Sequence, residues 1–293
     1  MPLVQVNGIE RFYQVAGNGE PLLLINGIGA DSLKWDPLLP ALAARFRVIT
    51  SDNRGAGRSA ASPGPYETRQ MADDAAALLA HLGVARAHVV GSSMGGMVAQ
   101  ELALAYPTLV DRLVLYGTFA RPRRAIMDPW LTFVVHASER LDPTSVTLGW
   151  LPWLYTPAFL ARPEKVEAAL ARQEPYPPPA HGIAAQAEAV RSHDTLDRLP
   201  RIAAPTLVLV GAEDVVTPVY YSQELAERIP GARLQVLERG GHSAIWEYPE
   251  TGAEALVAFL VTGADDPTAS RRTPRSVKMP AATDGDPGAS TLW

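Results

Sequence analysis

The 293-residue chain contains no cysteine. Disulfides, thiolate nucleophiles and zinc–thiolate sites are therefore excluded, and no cluster of histidines and carboxylates with metal-ligand spacing takes their place. Also missing is any apolar run near the roughly 18 residues of a membrane span, so no membrane association is expected. The opening stretch, "MPLVQVNGIERFYQVAG", lacks a basic segment followed by an unbroken apolar one. No signal peptide is expected, and the cytoplasm is the default location. Charge of one sign is scarce too. The 26 Lys+Arg and 31 Asp+Glu leave a net charge of −5, a mild acidity without the basic footprint that nucleic acid requires.

What is present is a globular composition, 47% hydrophobic and 19% charged, in a chain long enough to bury a substantial core. Alternating polarity on both sides of Asn7-Gly8 predicts an opening β-hairpin. Apolar runs then alternate with helical segments. Strands are predicted at 21–27, 47–52, 112–117, 205–211 and 233–238, and at "AHVVG" (87–91). Leu38, Leu39 and Leu42 fall on one helical face. Met71, Ala75, Leu78, Leu79 and Leu82 keep amphipathic spacing, and a helix from Met94 to Tyr106 stops at Pro107. Strands this apolar have no wet face, so an α/β fold is expected, with a mostly parallel sheet covered by helices on both sides.

One region breaks the alternation. From 118 to 200 there are helical stretches, prolines ("EPYPPPAHG") and aromatics, but no strand-like run. This segment is expected to be a helical cap inserted between two strands, with 1–117 and 201–263 forming the core. Residues 264–293 are rich in Ala, Pro, Thr, Ser, Asp and Arg, and are expected to be disordered.

The stretch "HVVGSSMGGMVAQ" (88–100) carries the chemistry. Gly91-Ser92-Ser93-Met94-Gly95 fits G-x-S-x-G with Ser93 at its centre. Ser92 cannot hold that place, because position 90 is Val. The motif follows a strand and opens a helix, where a sharp turn strains the serine backbone and leaves no room for side chains two residues to either side. The hydroxyl is lifted clear of the sheet, toward helix N–H groups that favour a developing negative charge. A serine needs a base to take its proton and a third group to hold the base.

The motif resembles the nucleophile turn of the α/β-hydrolases, and that resemblance implies that the acid and then the histidine follow the serine along the chain. His81 and His88 precede Ser93; His136, His181 and His193 lie in the irregular segment. His242, in "ERGGHSAIWEYPE", follows the last strand on a Gly-rich loop and is the candidate base. "LVLVGAEDVVTP" (207–218) offers Glu213 and Asp214 just past a strand, and Asp214 is the preferred acid. Two backbone N–H groups are expected to hold an oxyanion, that of Met94 and that of Ile28 in "NGIGA" (26–30).

Together "NGIGADSLKWDPL", "DNRGAGRS", "VVGSSMGG", "PTLVLVGAEDVVTP" and "GGHSAIWEYPE" resemble the α/β-hydrolase superfamily, over roughly residues 1 to 263. The chain is most similar to its capped esterase and lactonase branch, which includes 3-oxoadipate enol-lactonases and small carboxylesterases. Many members have His-Gly where this chain has Asn26-Gly27; the loss of that structural His leaves the oxyanion donor in place. A serine rather than an aspartate nucleophile argues against dehalogenase and epoxide-hydrolase chemistry, and "RGAGRS" is architectural in the family. The resemblance implies hydrolysis of a small or medium carboxylic ester or lactone through an acyl-enzyme, with no metal or organic cofactor. Trp130, Trp150, Trp153 and Tyr155 in the cap are candidate substrate contacts. The same constellation also serves perhydrolysis, acyl transfer and C–C bond cleavage, and some proteins of this fold act as slow-turnover small-molecule receptors.

Overall fold

The computed structural model describes residues 2–173 and 175–262; the tail expected to be disordered lies outside them. The opening hairpin is formed by β1 (Leu3–Val6) and β2 (Ile9–Ala16). Asn7 and Gly8 both take positive φ, 45° and 77°, the sign pattern of the tight turn that Asn-Gly favours. There follow β3 (Glu20–Ile25), β4 (Phe46–Ser51), β5 (Ala87–Ser92), β6 (Val110–Tyr116), β7 (Thr206–Gly211) and β8 (Arg233–Leu237), each on an apolar run identified above. The strands lie in the order β1-β2-β4-β3-β5-β6-β7-β8. β2 runs antiparallel to both its neighbours, and the pairs from β4 to β8 are parallel.

Helices cover both faces. α1 (Leu39–Ala43) follows β3, α2 (Thr68–His81) precedes β5, and α3 (Met94–Ala105) joins β5 to β6. Between β6 and β7 the chain leaves the sheet to build α4 (Arg124–Arg140), α5 (Pro143–Leu154), α6 (Pro157–Leu160), α7 (Pro163–Gln173) and α8 (Ala180–Ser192). α9 (Val219–Arg228) joins β7 to β8, and α10 (Ala244–Glu247) and α11 (Pro249–Thr262) close the described chain. The result is a mostly parallel sheet between helical layers with a helical subdomain, α4–α8, inserted. Among the described residues no helix is long and apolar enough to cross a membrane.

Every residue of β5 and β7 is buried, which is why these strands read as continuous apolar runs rather than alternating ones. Val89, Leu113 and Val208 face one layer, with Leu78, Val98 and Leu225 packed on that side. Val90, Val114 and Leu209 face the other, against Leu42, Trp246 and Leu256. Parallel strands β3, β5, β7 and β8 bring their C-terminal ends to one edge of the sheet, so loops far apart in sequence meet there.

Candidate active site

Ser93 follows directly on β5 and caps α3, with φ 55° and ψ −122°, a region that L-residues avoid unless the surroundings enforce it. The surroundings do so through two glycines. A Cβ on Gly91 would stand 2.3 Å from the Gly95 carbonyl oxygen, and one on Gly95 would stand 2.2 Å from that of Ile25. The turn can therefore close only with glycine at both places. The Ser93 N–H donates to the Tyr116 carbonyl at 2.9 Å, tying the turn to β6.

Asp214 lies just beyond β7 and His242 just beyond β8, both buried. His242 Nδ1 and Asp214 Oδ2 are 2.8 Å apart. A carboxylate only accepts, so Nδ1 carries the hydrogen and Nε2 is left as the acceptor. Asp214 is itself held. Its Oδ1 accepts the N–H groups of Val216 and Thr217, at 2.9 and 2.7 Å, and its Oδ2 accepts the Thr217 hydroxyl at 2.8 Å. On the far side of the histidine, the Tyr116 hydroxyl donates to the His242 carbonyl at 2.8 Å, and burial pushes that phenol well above its ordinary pKa. Glu213, the rejected acid, is exposed and its carboxylate faces the Gly240 N–H.

Ser93 and His242 line one cavity, with Gly27, Ile28, Trp130 and Trp150, enclosing about 450 Å³ of empty space including its mouth. Among the described residues Ser93 Oγ makes no hydrogen bond in this conformation. Met94 is the first residue of α3, so its N–H has no partner within the helix. Ile28 stands in the turn Gly27–Ala30, closed by an Ala30 N–H to Gly27 carbonyl bond of 3.4 Å. Gly29 takes φ +66° there, as the third position of a type II turn requires. Asn26 at the strand end donates to the Ser51 carbonyl at 2.9 Å and accepts the Trp35 indole N–H, a structural task that an amide performs from the position of the usual histidine.

The aromatics divide. Trp130 and Trp150 line the cavity that holds Ser93. Trp150 and Tyr155 line a second, larger one of about 1040 Å³, shared with Leu141, Val146 and Leu170. Trp153 lines neither and is 43% exposed, so the structure does not bring it to the site. Three residues at the site were not anticipated. Thr217 braces Asp214, Lys34 lines both cavities, and Gln186 of α8 bonds the Gly29 N–H at 2.7 Å. A threonine three residues past a loop aspartate is a recognisable hydroxyl partner; the other two carry no local mark.

The remaining polar motifs are architectural. Arg54 pairs with Asp74 at 2.6 Å and Arg58 with Asp52 at 2.9 Å, so "RGAGRS" spends both guanidinium groups inside the molecule. His193 is buried against the Thr68 hydroxyl, and burial holds its pKa down to about 3. Among the described residues no group of three or more His, Asp or Glu could hold a metal ion.

Residues 20–249, more than half of the chain, match the family model described as alpha/beta hydrolase fold. A hydrolase from Pseudomonas aeruginosa PA01 is 37% identical, with a TM-score of 0.80 over 89% of this chain and 98% of that one. The enol-lactonase from Burkholderia xenovorans LB400 is 30% identical, with a TM-score of 0.81 over 88% and 99%. RutD of Azorhizobium caulinodans, assigned provisionally as a carbamate hydrolase, is 33% identical over 264 residues, covering 88% of this chain and 98% of its own.

Proposed function

The chain belongs to the alpha/beta hydrolase fold family, and from that premise we propose that it hydrolyses small or medium carboxylic esters or lactones, with Ser93, His242 and Asp214 as its catalytic triad. The observation that carries this reading is the 2.8 Å contact of His242 Nδ1 with Asp214, made by a histidine that shares a cavity with a serine on a strained turn.

His242 Nε2 takes the Ser93 proton as Oγ attacks the substrate carbonyl. The new C–O bond places a negative charge on the carbonyl oxygen, where the Ile28 and Met94 N–H groups hold it. The intermediate collapses, the alcohol leaves with the proton from His242, and an acyl-enzyme remains. Water then repeats the sequence and releases the acid. Asp214 keeps the imidazole in the tautomer that leaves Nε2 free and stabilises its charged form. The inserted helices act as the cap, with Trp130, Trp150 and Tyr155 facing substrate. The similarity to RutD favours a second reading, in which the carbonyl attacked is that of a carbamate.

Purified protein assayed on p-nitrophenyl esters and an enol-lactone should turn over, and Ser93→Ala should lose about 10⁶-fold in kcat. A fluorophosphonate should label Ser93 alone. Turnover that survives in the Ser93→Ala protein would reject the mechanism, and a preference for carbamates over esters would select the second reading.

A further inference from the structure

Gln186 sits in α8, fully buried, among Ile183, Ala185, Ala187 and Ala189 of its own helix. A buried amide must find partners or lose its hydration without return. Gln186 finds them in two separate loops. Its Oε1 accepts the Gly29 N–H at 2.7 Å, and its Nε2 donates to the Arg54 carbonyl at 2.7 Å. One side chain thus bridges the inserted helices, the loop after β3 and the loop after β4.

The Gly29 N–H belongs to the central peptide of the turn that carries Ile28. That peptide follows Ile28 directly, so an acceptor fixed on its N–H anchors the turn immediately after Ile28. The acceptor is firmly placed. α8 packs so closely on the loop after β4 that a Cβ on Gly182 would lie 2.2 Å from the Gly55 carbonyl oxygen. The Tyr66 N–H also donates to the Ala185 carbonyl at 3.3 Å.

We propose that Gln186 is a positioning residue through which the inserted segment sets the Ile28 oxyanion donor; this rests on the serine-hydrolase reading above. Gln186 lines neither the cavity at Ser93 nor the larger one beside it. It acts by anchoring the turn immediately after Ile28, which keeps the Ile28 N–H at the developing charge, an interaction realised in the transition state rather than in substrate binding.

Two variants of the full chain test this, measured for kcat, KM and melting temperature beside wild type and Ser93→Ala. Gln186→Met keeps the length and removes both bonds. Its kcat should fall about 10²-fold, the scale expected for a misplaced catalytic group, with KM within a fewfold of wild type. In Gln186→Glu the protonated carboxyl can accept from Gly29 and donate to Arg54, whereas the carboxylate can only accept. That variant should approach wild-type kcat on the acidic side of its profile and lose it as pH rises, a fall absent from wild type. Should Gln186→Met fail to fold, the pH profile of Gln186→Glu decides alone. An active wild type with unchanged kcat in a folded Gln186→Met, or a Gln186→Glu profile parallel to wild type, overturns the positioning role only. A wild type with neither turnover nor Ser93 labelling overturns the hydrolase reading and the positioning role with it.

Discussion

The inserted helices divide into two halves that meet the rest of the molecule differently. Met127, Leu131 and Val134 of α4, and Ile183, Ala187 and Val190 of α8, belong to the same hydrophobic cluster as the sheet and as Ile28 and Met94. Leu151, Leu154, Tyr155, Phe159 and Ala169, on α5 to α7, form a small cluster of their own. Large exposed apolar side chains lie on both halves, Ile126 and Phe133 on α4 and Leu148 and Trp153 on α5. An insertion in sequence is therefore not one unit in packing. α4 and α8 are an extension of the core, and through Gln186 α8 reaches the turn Gly27–Ala30. α5, α6 and α7 form a roof over the larger cavity with an apolar cluster of its own, tied to the core where the Ser243 N–H donates to the Leu154 carbonyl at 2.8 Å and the Thr156 hydroxyl to Glu247 at 2.6 Å. Segments with few buried contacts open at lower free energy than the core, and that is a useful property for a surface that must admit substrate.

The comparison breaks most readily at two leucine- and phenylalanine-sized positions. Leu131→Ala in α4 removes a side chain that is fully buried in the main cluster, and should lower global unfolding free energy by about 2–5 kcal/mol. Phe159→Ala, in the separate cluster where its ring stacks on Tyr155 at 4.3 Å between centroids, should leave the global denaturant midpoint much closer to wild type. Its effect should appear instead as faster amide exchange across 143–173. Equal losses of global stability from both variants would mean that the roof and core unfold as one, and the division would be wrong.

A pH series sharpens the same contrast through two buried groups, one at the end of α8 and one beyond β3. Burial holds His193 down to about 3 against its ordinary 6.5. Between those values the unfolded chain takes up a proton that the native state refuses, so stability falls as pH drops, by about 1.4 kcal/mol per unit. Asp31 behaves oppositely. Desolvation, with Asp52 nearby, pushes its carboxyl up from 3.8 to about 6, so the native state is first to take the proton, and its contribution to stability rises as pH falls through 6. The two slopes oppose between about 4 and 6. Denaturant titrations at pH 7, 6 and 5 should show Asp31→Asn losing stability on acidification more steeply than wild type, and His193→Asn less steeply. Three parallel curves would mean that neither group is desolvated as its burial implies.

Why part of this was legible in advance, and part was not, follows from how far each signal reaches. The strands announced themselves because a sheet covered on both faces needs unbroken apolar runs, and glycines end them. Ser93 was legible because its turn demands Gly91 and Gly95, a constraint written within five residues. Asp214 and His242 were singled out by their places beyond successive strand ends, which a parallel sheet brings together whatever lies between, and the two stand 2.8 Å apart. Gln186 left no such trace. In "HGIAAQAEAV" an amide among alanines looks like a surface position, and only the docking of α8 reveals that it is buried. The split within 118–200 was hidden for a related reason. Aromatic content does not say which way a ring faces, and Pro152 inside α5 interrupts the periodicity that would have separated buried Leu151 and Leu154 from exposed Trp153.

The smallest effect is expected where the two halves touch. Trp150 packs against both the core cluster and the roof cluster; its ring would lie 3.1 Å from a Cβ on Gly29, and it lines both cavities. It is a partition between the space at Ser93 and the larger apolar one beyond. Trp150→Ala should join the two. Each methylene that newly enters apolar surroundings contributes about 0.8 kcal/mol, close to a fourfold gain in kcat/KM, so preference among p-nitrophenyl esters should move toward longer acyl chains. An acetate ester, too short to cross the partition, should react within about twofold of its wild-type rate. A roof residue changes which substrate is held, whereas a residue belonging to the catalytic floor changes how fast any substrate reacts. If Trp150→Ala slowed the acetate ester as severely as the longer ones, Trp150 would belong with Gln186 and α8, and the boundary between the two halves would have to be moved one helix later, to the end of α5.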